Sequence, residues 1–348
     1  MGKRQVLVTG GAGYIGAHTA VELHAAGYEV IIADNFSNSS PGVLEGIERI
    51  TGVKPVFHRI DCADRSQMVT LFKEYPGIEA VIHFAAFKSV GESVLNPLAY
   101  YRNNLLSMIN LLGEMSVRER GGCIVFSSSC TVYGQPAPEH LPVSEEAPLQ
   151  VAASPYGRTK QICEDILSDT VKASEGKLKA ISLRYFNPVG AHPSAYIGEL
   201  PGGVPQNLLP FVTQTAAGLR ECLNIFGSDY NTPDGTCIRD YIYVCDLAKA
   251  HIKALERMTS VASGTGENME YFNLGTGKGL SVMEVVKGFV AATGVDVPYK
   301  ITGRRAGDVE QVWADPSKAN RELGWRADTP MDQVYRSAWE WEKRIRNL

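Results

Sequence analysis

The sequence lacks both a strong net charge and a long apolar run. Its 34 basic and 38 acidic residues give a formal net charge of −4 at pH 7, which provides no overall field to attract nucleic acid or an anionic membrane. No apolar run reaches the roughly 18 residues that a membrane span needs. We therefore expect no nucleic-acid partner and no membrane partner.

Paired metal ligands are lacking as well. The seven cysteines contain no Cys-x-x-Cys spacing and the seven histidines no His-x-x-x-His spacing, so no metal is predicted. The chain starts directly with a strand and a glycine turn, which leave no room for a signal peptide. Together with cysteines that look free, this beginning predicts a cytoplasmic protein.

Three evenly spaced glycines follow the first apolar run. Gly10, Gly13 and Gly16 stand where a strand at 6–9 passes into a helical stretch, an order typical of dinucleotide binding. Gly10 would permit the tight turn, and Gly13 would let backbone amides approach a pyrophosphate. Gly16 would let the helix pack closely on the strand.

An acidic residue completes this pattern. A second apolar strand, predicted at 29–34, ends in Asp34, where a carboxylate would bind the two hydroxyls of an adenosine ribose. The next residues, Asn35 and Phe36, provide no arginine for a 2′-phosphate. A glycine series alone is often an ordinary turn, but this full order of elements predicts an NAD site.

Alternating strands and helices predict the fold class, because such alternation implies right-handed crossovers between parallel strands. The class is α/β, a Rossmann-like doubly wound parallel sheet with a smaller C-terminal α/β lobe. Strands are predicted at 6–9, 29–34, 55–61, 79–86, 121–129 and 179–187, with helices near 14–26, 65–75, 97–119 and 154–174.

The amino-acid composition of the sequence changes after residue 187. Residues 188–206 are rich in proline and glycine. We predict an NAD-binding Rossmann domain at 1–187, with a return segment at about 240–280, and a second lobe at 188–348. Shorter strands are predicted at 223–226, 241–244 and 271–274, with helices near 281–293 and 331–346.

A tyrosine and a lysine near the start of the predicted helix 154–174 suggest acid–base chemistry. Tyr156 and Lys160 are four residues apart and so lie on one helix face. There the ammonium can lower the pKa of the phenol from about 10 towards neutrality and make it a general base. Ser129, at the end of the fifth predicted strand, could share the substrate's proton. The spacing alone is weak evidence.

With these motifs the sequence resembles the extended short-chain dehydrogenase/reductases and, more finely, the family of UDP-glucose 4-epimerases. The resemblance covers nearly the whole chain, and its later segments are the more specific ones. The matching segments are 8–16, 127–134, 156–160, 183–192, 204–208, 238–241 and 304–308.

The resemblance implies an NAD-dependent isomerase with no net redox change. The Tyr156 phenolate, assisted by Ser129, would remove the proton from the sugar's 4-hydroxyl while C4 gives a hydride to NAD. The resulting 4-keto sugar would turn about its diphosphate linkage and take the hydride back on the opposite face. Lys160 would bind the nicotinamide ribose and keep Tyr156 ionised.

The resemblance also implies ligand contacts and a homodimer, in which long helices near 97–119 and 154–174 could pair. Contacts with NAD are implied for Gly10, Gly13, Tyr14, Ile15, Gly16, Asp34, Asn35, Asn38, Asp61, Cys62, Phe84, Ala85, Lys88, Asn104, Lys160 and Phe186. Contacts with the UDP-sugar, in the second lobe and at the catalytic residues, are implied for Ser129, Tyr156, Asn187, Asn207, Leu208, Arg239, Arg305, Asp308 and Val312.

Two positions depart from the family's pattern. Cys130 stands where alanine is usual, next to Ser129, and could be inert packing or a reactive thiol. Val312 stands at the position that limits room for the sugar's 2-substituent, where a tyrosine restricts the enzyme to glucose and galactose. Valine is intermediate, so UDP-glucose and UDP-galactose are the expected substrates and the N-acetylated pair stays open.

Other functions share the fold. Nucleotide-sugar dehydratases and decarboxylases usually carry an acid just after the serine position, where this chain has Cys130 and Thr131. Epimerases of UDP-pentoses or UDP-uronates use the same hydride transfer and stay open. A non-catalytic NAD sensor belongs to another class of protein, and it would have no need of Ser129, Tyr156 and Lys160 together.

Overall fold

The computed structural model describes residues 4–260, 267–305 and 309–348. The described residues contain strands of very different length and burial. In chain order these are β1 (Gln5–Thr9), β2 (Glu29–Asp34), β3 (Val56–Arg59), β4 (Ile78–His83), β5 (Gly122–Ser127), β6 (Leu178–Tyr185), β7 (Asn187–Val189), β8 (Leu223–Phe226), β9 (Ile238–Tyr243), β10 (Met269–Leu274), β11 (Gly279–Ser281), β12 (Tyr299–Thr302) and β13 (Gln311–Val312).

Helices connect most of these strands. In chain order they are α1 (Tyr14–Ala25), α2 (Gly42–Thr51), α3 (Arg65–Glu74), α4 (Val90–Leu95), α5 (Pro97–Ser116), α6 (Pro155–Ala173), α7 (Leu208–Ala216), α8 (Val244–Thr259), α9 (Val282–Thr293), α10 (Ser317–Glu322) and α11 (Met331–Arg346). No helix within the described ranges combines the length and the apolar character that crossing a membrane would require.

The main sheet has seven strands in the order β10-β6-β5-β4-β1-β2-β3. All neighbouring pairs are parallel, as crossover helices on both faces require. The chain direction across the sheet reverses between β1 and β4, which is where such sheets bind ligands, beyond the carboxyl ends of the strands. The predicted α/β, Rossmann-like class is confirmed.

The core lies on both faces of this sheet, because successive side chains of a strand point in opposite directions. In β1, Val6 and Val8 pack in one apolar cluster and Leu7 in the other. All three are buried, and burying one such aliphatic side chain contributes roughly 1.5–3 kcal/mol. The near-continuous apolar run therefore holds the first strand in the middle of the molecule.

Later parts of the chain build two smaller sheets and also return to the main one. Strand β9 pairs with β7, β11 and β13, and β8 pairs with β12. Helix α8 packs on α1, and β10 continues the main sheet next to β6. Helix α8 and strand β10 thus belong to the layers of the main sheet, although the division into two domains stays a prediction.

Most predicted elements occur within a few residues of their expected bounds. The predicted strand 179–187 is the exception, since it is interrupted at Phe186 and continues as β7 in a different sheet. The structure also contains elements that were not predicted, namely helices α2, α4, α7, α8 and α10 and strands β11, β12 and β13. The strand predicted at 121–129 ends at Ser127, which leaves Ser129 in the turn that follows it.

Candidate active site

The turn after β1 requires glycine at two of the three spaced positions. Gly10 has a φ of +68°, and a Cβ there would lie 2.8 Å from the backbone nitrogen of Ala85. A Cβ at Gly16 would overlap the carbonyl oxygen of Gly10. The close approach of α1 to the turn therefore depends on both residues, as the sequence predicted.

Gly13 fits a different purpose. It precedes α1 in an extended conformation, and a Cβ there would meet only the carbonyl oxygen of Gly10, at 3.1 Å. The first backbone N–H groups of a helix have no partner within the helix, so this open approach suits an anionic group such as a pyrophosphate. Ile15 packs against apolar clusters, and the Tyr14 hydroxyl donates to the Gly190 carbonyl oxygen at 2.6 Å.

The Asp34 carboxylate lies beside this turn at the end of β2. It accepts hydrogen bonds from the backbone nitrogens of Ala12 at 3.1 Å and Phe36 at 2.8 Å, and from the Ser39 hydroxyl at 3.0 Å. These bonds hold the carboxylate next to the glycine turn. Asn35 accepts from the Ser37 nitrogen at 2.9 Å, and Asn38 is exposed.

Two further candidate residues follow β3. The Asp61 carboxylate accepts from the Ala63 nitrogen at 2.9 Å, which fixes the turn into α3. Cys62 is buried, and burial raises the pKa of its thiol to about 12. Its sulfur is therefore a protonated, packed group at neutral pH.

The loop after β4 carries three candidates, and a fourth, Asn104 on α5, contacts this loop. Phe84 and Ala85 are half-buried, and the Phe84 ring lies 4.8 Å from that of His251. The Lys88 ammonium lies 3.3 Å from the Glu199 carboxylate. The Asn104 side chain accepts from the Phe87 nitrogen at 2.8 Å and donates to its carbonyl oxygen at 3.1 Å, so it supports this loop from behind.

Ser129, Tyr156 and Lys160 are brought together beyond the carboxyl end of β5. Helix α6 starts here because the Ser154 hydroxyl accepts from the Gly157 nitrogen at 3.2 Å and Pro155 occupies the first turn. The Ser129 hydroxyl lies close enough to the Tyr156 phenol to lower the pKa of that phenol. The Lys160 ammonium lies 5.9 Å from the Tyr156 ring centre.

Lys160 is held by main-chain and aromatic contacts. Its ammonium donates to the Ser127 carbonyl oxygen at 2.5 Å and lies 4.8 Å from the centre of the Phe126 ring. The side chain is buried, and burial lowers the pKa of the ammonium to about 8. The lysine is thus close to losing its charge in the physiological range.

The electrostatics of Tyr156 differ from the prediction. Burial is the largest influence and raises the pKa of the phenol, and the neighbouring Tyr185 and Cys130 raise it further, while the nearby Ser129 hydroxyl lowers it. The expected lowering of the pKa by Lys160 is outweighed by the effect of burial. Removing a phenolate from water costs more free energy than its attraction to the protein's own charges returns. With the protein's own charges alone, the Tyr156 phenol stays protonated at neutral pH.

Sequence reasoning missed Tyr185. Its hydroxyl hydrogen-bonds to that of Ser127, the residue whose carbonyl holds Lys160. An aromatic residue at the carboxyl end of an apolar strand was the available signal. Cys130 was left open, and burial raises the pKa of its thiol to about 11, so it is a protonated thiol at neutral pH rather than a reactive thiolate.

Residues of the later elements reach the same region. Phe186 and Val312 are buried in one apolar cluster, against which Cys130 packs. Strand register places Val312 opposite Arg239, and the charge of Arg239 lowers the pKa of Cys130, which is nonetheless raised overall. The Arg239 guanidinium donates to its neighbour Ile238 at 2.8 Å.

The remaining candidate substrate residues lie at β7, at the start of α7 and between β12 and β13. Asn187 begins β7. Asn207 precedes α7 and donates to Glu199 at 2.6 Å, the carboxylate that also meets Lys88. Leu208 packs on an apolar cluster, and exposed Arg305 lies 5.7 Å from the Phe226 ring centre. Asp308 lies outside the described residues.

The described residues contain no group of three or more histidine, cysteine or acidic side chains that could hold a metal ion. What they do contain is a glycine turn, an acid at the end of β2, and a buried serine, tyrosine and lysine. Together these define a dinucleotide-dependent enzyme of the short-chain dehydrogenase/reductase class.

Comparison with known proteins refines this class. Residues 7–338 match the GDP-mannose 4,6 dehydratase family. The chain is 50% identical to the UDP-glucose 4-epimerase of Dictyostelium discoideum over 97% of its length and 95% of the relative's, and 50% identical to that of Bacillus subtilis over 97% and 96%. The chain belongs to the GDP-mannose 4,6 dehydratase family and, within it, to the UDP-glucose 4-epimerases.

Solved structures agree. A UDP-glucose 4-epimerase from Stenotrophomonas maltophila, with bound NAD and formylated UDP-arabinopyranose, superposes with a TM-score of 0.92 at 47% identity, covering 99% of both chains. The enzyme from Bifidobacterium longum, in complex with NAD and UDP, gives a TM-score of 0.92 at 45% identity over 99% of both chains. The family resemblance inferred from the sequence is confirmed.

Proposed function

We propose that this protein interconverts UDP-galactose and UDP-glucose by reversible hydride transfer at C4 of the sugar, through a 4-keto intermediate. The observation that carries the proposal is the buried set of Ser129, Tyr156 and Lys160 beyond the carboxyl end of β5, at the same edge of the sheet as the glycine turn after β1. Relatives that are 50% identical and bear this activity in their names support the choice of substrate.

NAD is the cofactor that these residues suit. When bound, it would supply a reversible hydride acceptor, so that the reaction needs no net oxidant or reductant. The backbone N–H groups at the start of α1 would bind the pyrophosphate, because Gly13 has no side chain to block its approach. Asp34 would bind the adenosine ribose. The other NAD contacts implied by the resemblance are part of this proposal.

Tyr156 would take the proton from the sugar's 4-hydroxyl and return it at the end of the cycle. Because burial favours the neutral phenol, a further positive charge near Tyr156 is needed before it can act as a base at neutral pH. Lys160 is already part of this balance, and the positively charged nicotinamide of bound NAD would supply the further charge. Ser129, next to Tyr156, would pass the proton between the sugar and the phenol.

The nucleotide part of the substrate must stay bound while the 4-keto sugar rotates about its diphosphate linkage. Arg239 and Arg305 would hold the diphosphate, since a guanidinium matches phosphate oxygens with two parallel hydrogen bonds. Asn187, Asn207, Leu208 and Asp308 would complete this site. Val312, buried near Cys130, would lie against the sugar, where its size decides whether a 2-acetamido group fits.

The test is to incubate the purified protein with UDP-galactose without added NAD, then with NAD, and to separate the products by chromatography. UDP-glucose is expected, and no product under either condition would overturn the proposal. A parallel incubation with UDP-N-acetylgalactosamine reports whether Val312 leaves room for the acetamido group.

Replacing Tyr156 by Phe separates the enzyme from an NAD sensor. In the enzyme, turnover falls by about 10²–10⁴-fold, the usual contribution of a general base, while NAD binding survives. Tyr335→Phe is the matched control, because Tyr335 is a buried tyrosine in a separate apolar cluster. Full activity in Tyr156→Phe would contradict the assignment of the base.

We further propose the two-lobe division predicted above, with residues 188–348 forming the UDP-sugar lobe apart from the segment at about 240–280, and a homodimer with a cytoplasmic location. Exposed apolar side chains on α5 support the dimer: Leu98 is 77% exposed, Leu106 40% and Ile109 47%. Their spacing places them on one helix face. The seven free cysteines agree with a reducing compartment.

A further inference from the structure

A buried ion pair lies directly behind the catalytic residues. Glu164 and Arg184 are 3% and 4% exposed, and two guanidinium nitrogens donate to the two carboxylate oxygens at 2.7 and 3.0 Å. A buried pair of this kind is weak evidence of stabilisation, because removing both charges from water offsets most of their attraction. Its surroundings indicate another role.

Glu164 joins three elements through one oxygen atom. Besides Arg184 on β6, its Oε1 accepts hydrogen bonds from Ser128 and Ser182, each at 2.7 Å. Glu164 lies on α6, one helical turn after Lys160. Ser128 immediately precedes the catalytic Ser129. The carboxylate therefore ties the helix that carries Tyr156 to the segment that carries Ser129.

Arg184 holds the other end of the same segment. It donates to the Tyr133 hydroxyl at 3.1 Å, and that hydroxyl donates to Asn273 on β10 at 2.7 Å. Tyr133 closes the short helical turn Cys130–Tyr133, which Ser129 caps. The segment is thus anchored by Ser128 before the catalytic serine and by Tyr133 after it.

We propose that Glu164 and Arg184 are positioning residues, which hold the Ser129 segment against α6 so that the Ser129 hydroxyl stays next to the Tyr156 phenol. This inference rests on the proposed function. Both oxygens of Glu164 are already occupied by protein donors, which leaves the carboxylate no part in proton transfer itself. The pair acts through geometry, and small misplacements of reacting groups cost rate steeply.

Ser128 and Ser182 provide a matched pair of variants. Both are fully buried and both donate to the same oxygen at the same distance, but only Ser128 adjoins Ser129. We expect Ser128→Ala to lower kcat by about tenfold with little change in KM, as for a displaced reacting group. Ser182→Ala should keep kcat within about twofold, although the two variants lose similar stability. Equal effects of both variants on kcat would overturn the proposal.

Crystal structures of the two variants give a readout that does not depend on turnover. In Ser128→Ala the distance between the Ser129 and Tyr156 oxygens should be longer than in a crystal structure of the wild type, while in Ser182→Ala it should match the wild type. An unchanged distance in Ser128→Ala would overturn the positioning role. A wild-type protein that converts no UDP-sugar would instead overturn the proposed function and leave this distance measurable.

Glu164→Gln tests the carboxylate itself. The amide offers one acceptor oxygen in place of two, so it cannot satisfy both the guanidinium and the serine hydroxyls. We expect a loss of kcat at least as large as in Ser128→Ala with the NAD content of the protein unchanged. A folded variant with wild-type kcat would overturn the proposal.

Discussion

Tyr156 and Lys160 share one helix face and one buried environment, and burial acts on their charges in opposite ways. It raises the pKa of the phenol and lowers that of the ammonium to about 8, so that at pH 7 the phenol is neutral while most of the ammonium is still charged. Two charged forms side by side are what the proposed chemistry needs. An added positive charge near Tyr156 therefore determines whether its phenolate, the form that acts as a base, is populated.

A pH profile tests the charge of Lys160. The fraction of charged Lys160 falls as pH rises through about 8, so kcat/KM should decline on the alkaline side if that charge is required. In Lys160→Arg the charge persists, because a guanidinium stays protonated above pH 12. We expect a lower maximum, owing to the changed shape, but no decline near pH 8. The same alkaline decline in Lys160→Arg would contradict this account.

At this scale the sequence predicted which residues meet, but not how they titrate. The glycines and Asp34 follow from the local order of strand, turn and helix, and the spacing of Tyr156 and Lys160 follows from the helix period. The pKa of Tyr156 depends on burial by distant parts of the chain, including Tyr185. Spacing along one helix contains no information about that burial.

At the scale of elements, the turn between β1 and α1 sets how closely the helix approaches the sheet. This approach is possible only because no side chain separates Gly16 from the carbonyl of Gly10. It also places the start of α1 beside Asp34, whose carboxylate accepts from Ala12 in the same turn. The turn and the acid are therefore one unit of structure.

Gly16→Ala should disturb this unit. The added methyl group would overlap the Gly10 carbonyl oxygen, and overpacking of this kind costs about 1–3 kcal/mol. We expect a lower free energy of unfolding, measured with denaturant, and weaker NAD binding. Gly42→Ala is the control, since a Cβ there meets only the Ser40 hydroxyl at 3.9 Å. Equal stability of both variants would refute the packing argument.

Element prediction succeeded where apolar periodicity was plain and failed elsewhere. Helix α11 occurs at its predicted bounds, Met331–Arg346. Helix α7 contains Pro210 and several β-branched residues, a composition that does not indicate a helix, and its stability comes from tertiary packing. Helix α8 has apolar residues at helical spacing from Val244 to Leu255, so its pattern was available in the sequence and was overlooked.

At the scale of the whole molecule, the substrate residues depend on pairings between distant parts of the chain. Arg239 and Val312 are neighbours only because β13 pairs with β9. No local pattern predicts that register. The family resemblance assigns both residues to the substrate site, which stays a prediction, and the strand pairing shows that they are neighbours.

The proposed dimer can be tested on its apolar face. Leu106→Glu with Ile109→Glu would place two charges in an apolar interface, where unpaired charges are costly. Light scattering after size-exclusion chromatography should then report a monomer for the variant and a dimer for the wild type. Leu219→Glu, at an exposed apolar residue outside α5, should remain dimeric. A dimeric double variant would place the interface elsewhere.

The return of the chain to the main sheet also orders events during synthesis on the ribosome. Strand β6 is complete at Tyr185, but β10, its neighbour in the sheet, begins only at Met269. Until that strand emerges, the nascent sheet presents an open edge of unpaired backbone groups, which other strands can join. Truncated chains that end before Leu274 should therefore aggregate. The protein is most prone to aggregation before its synthesis is complete.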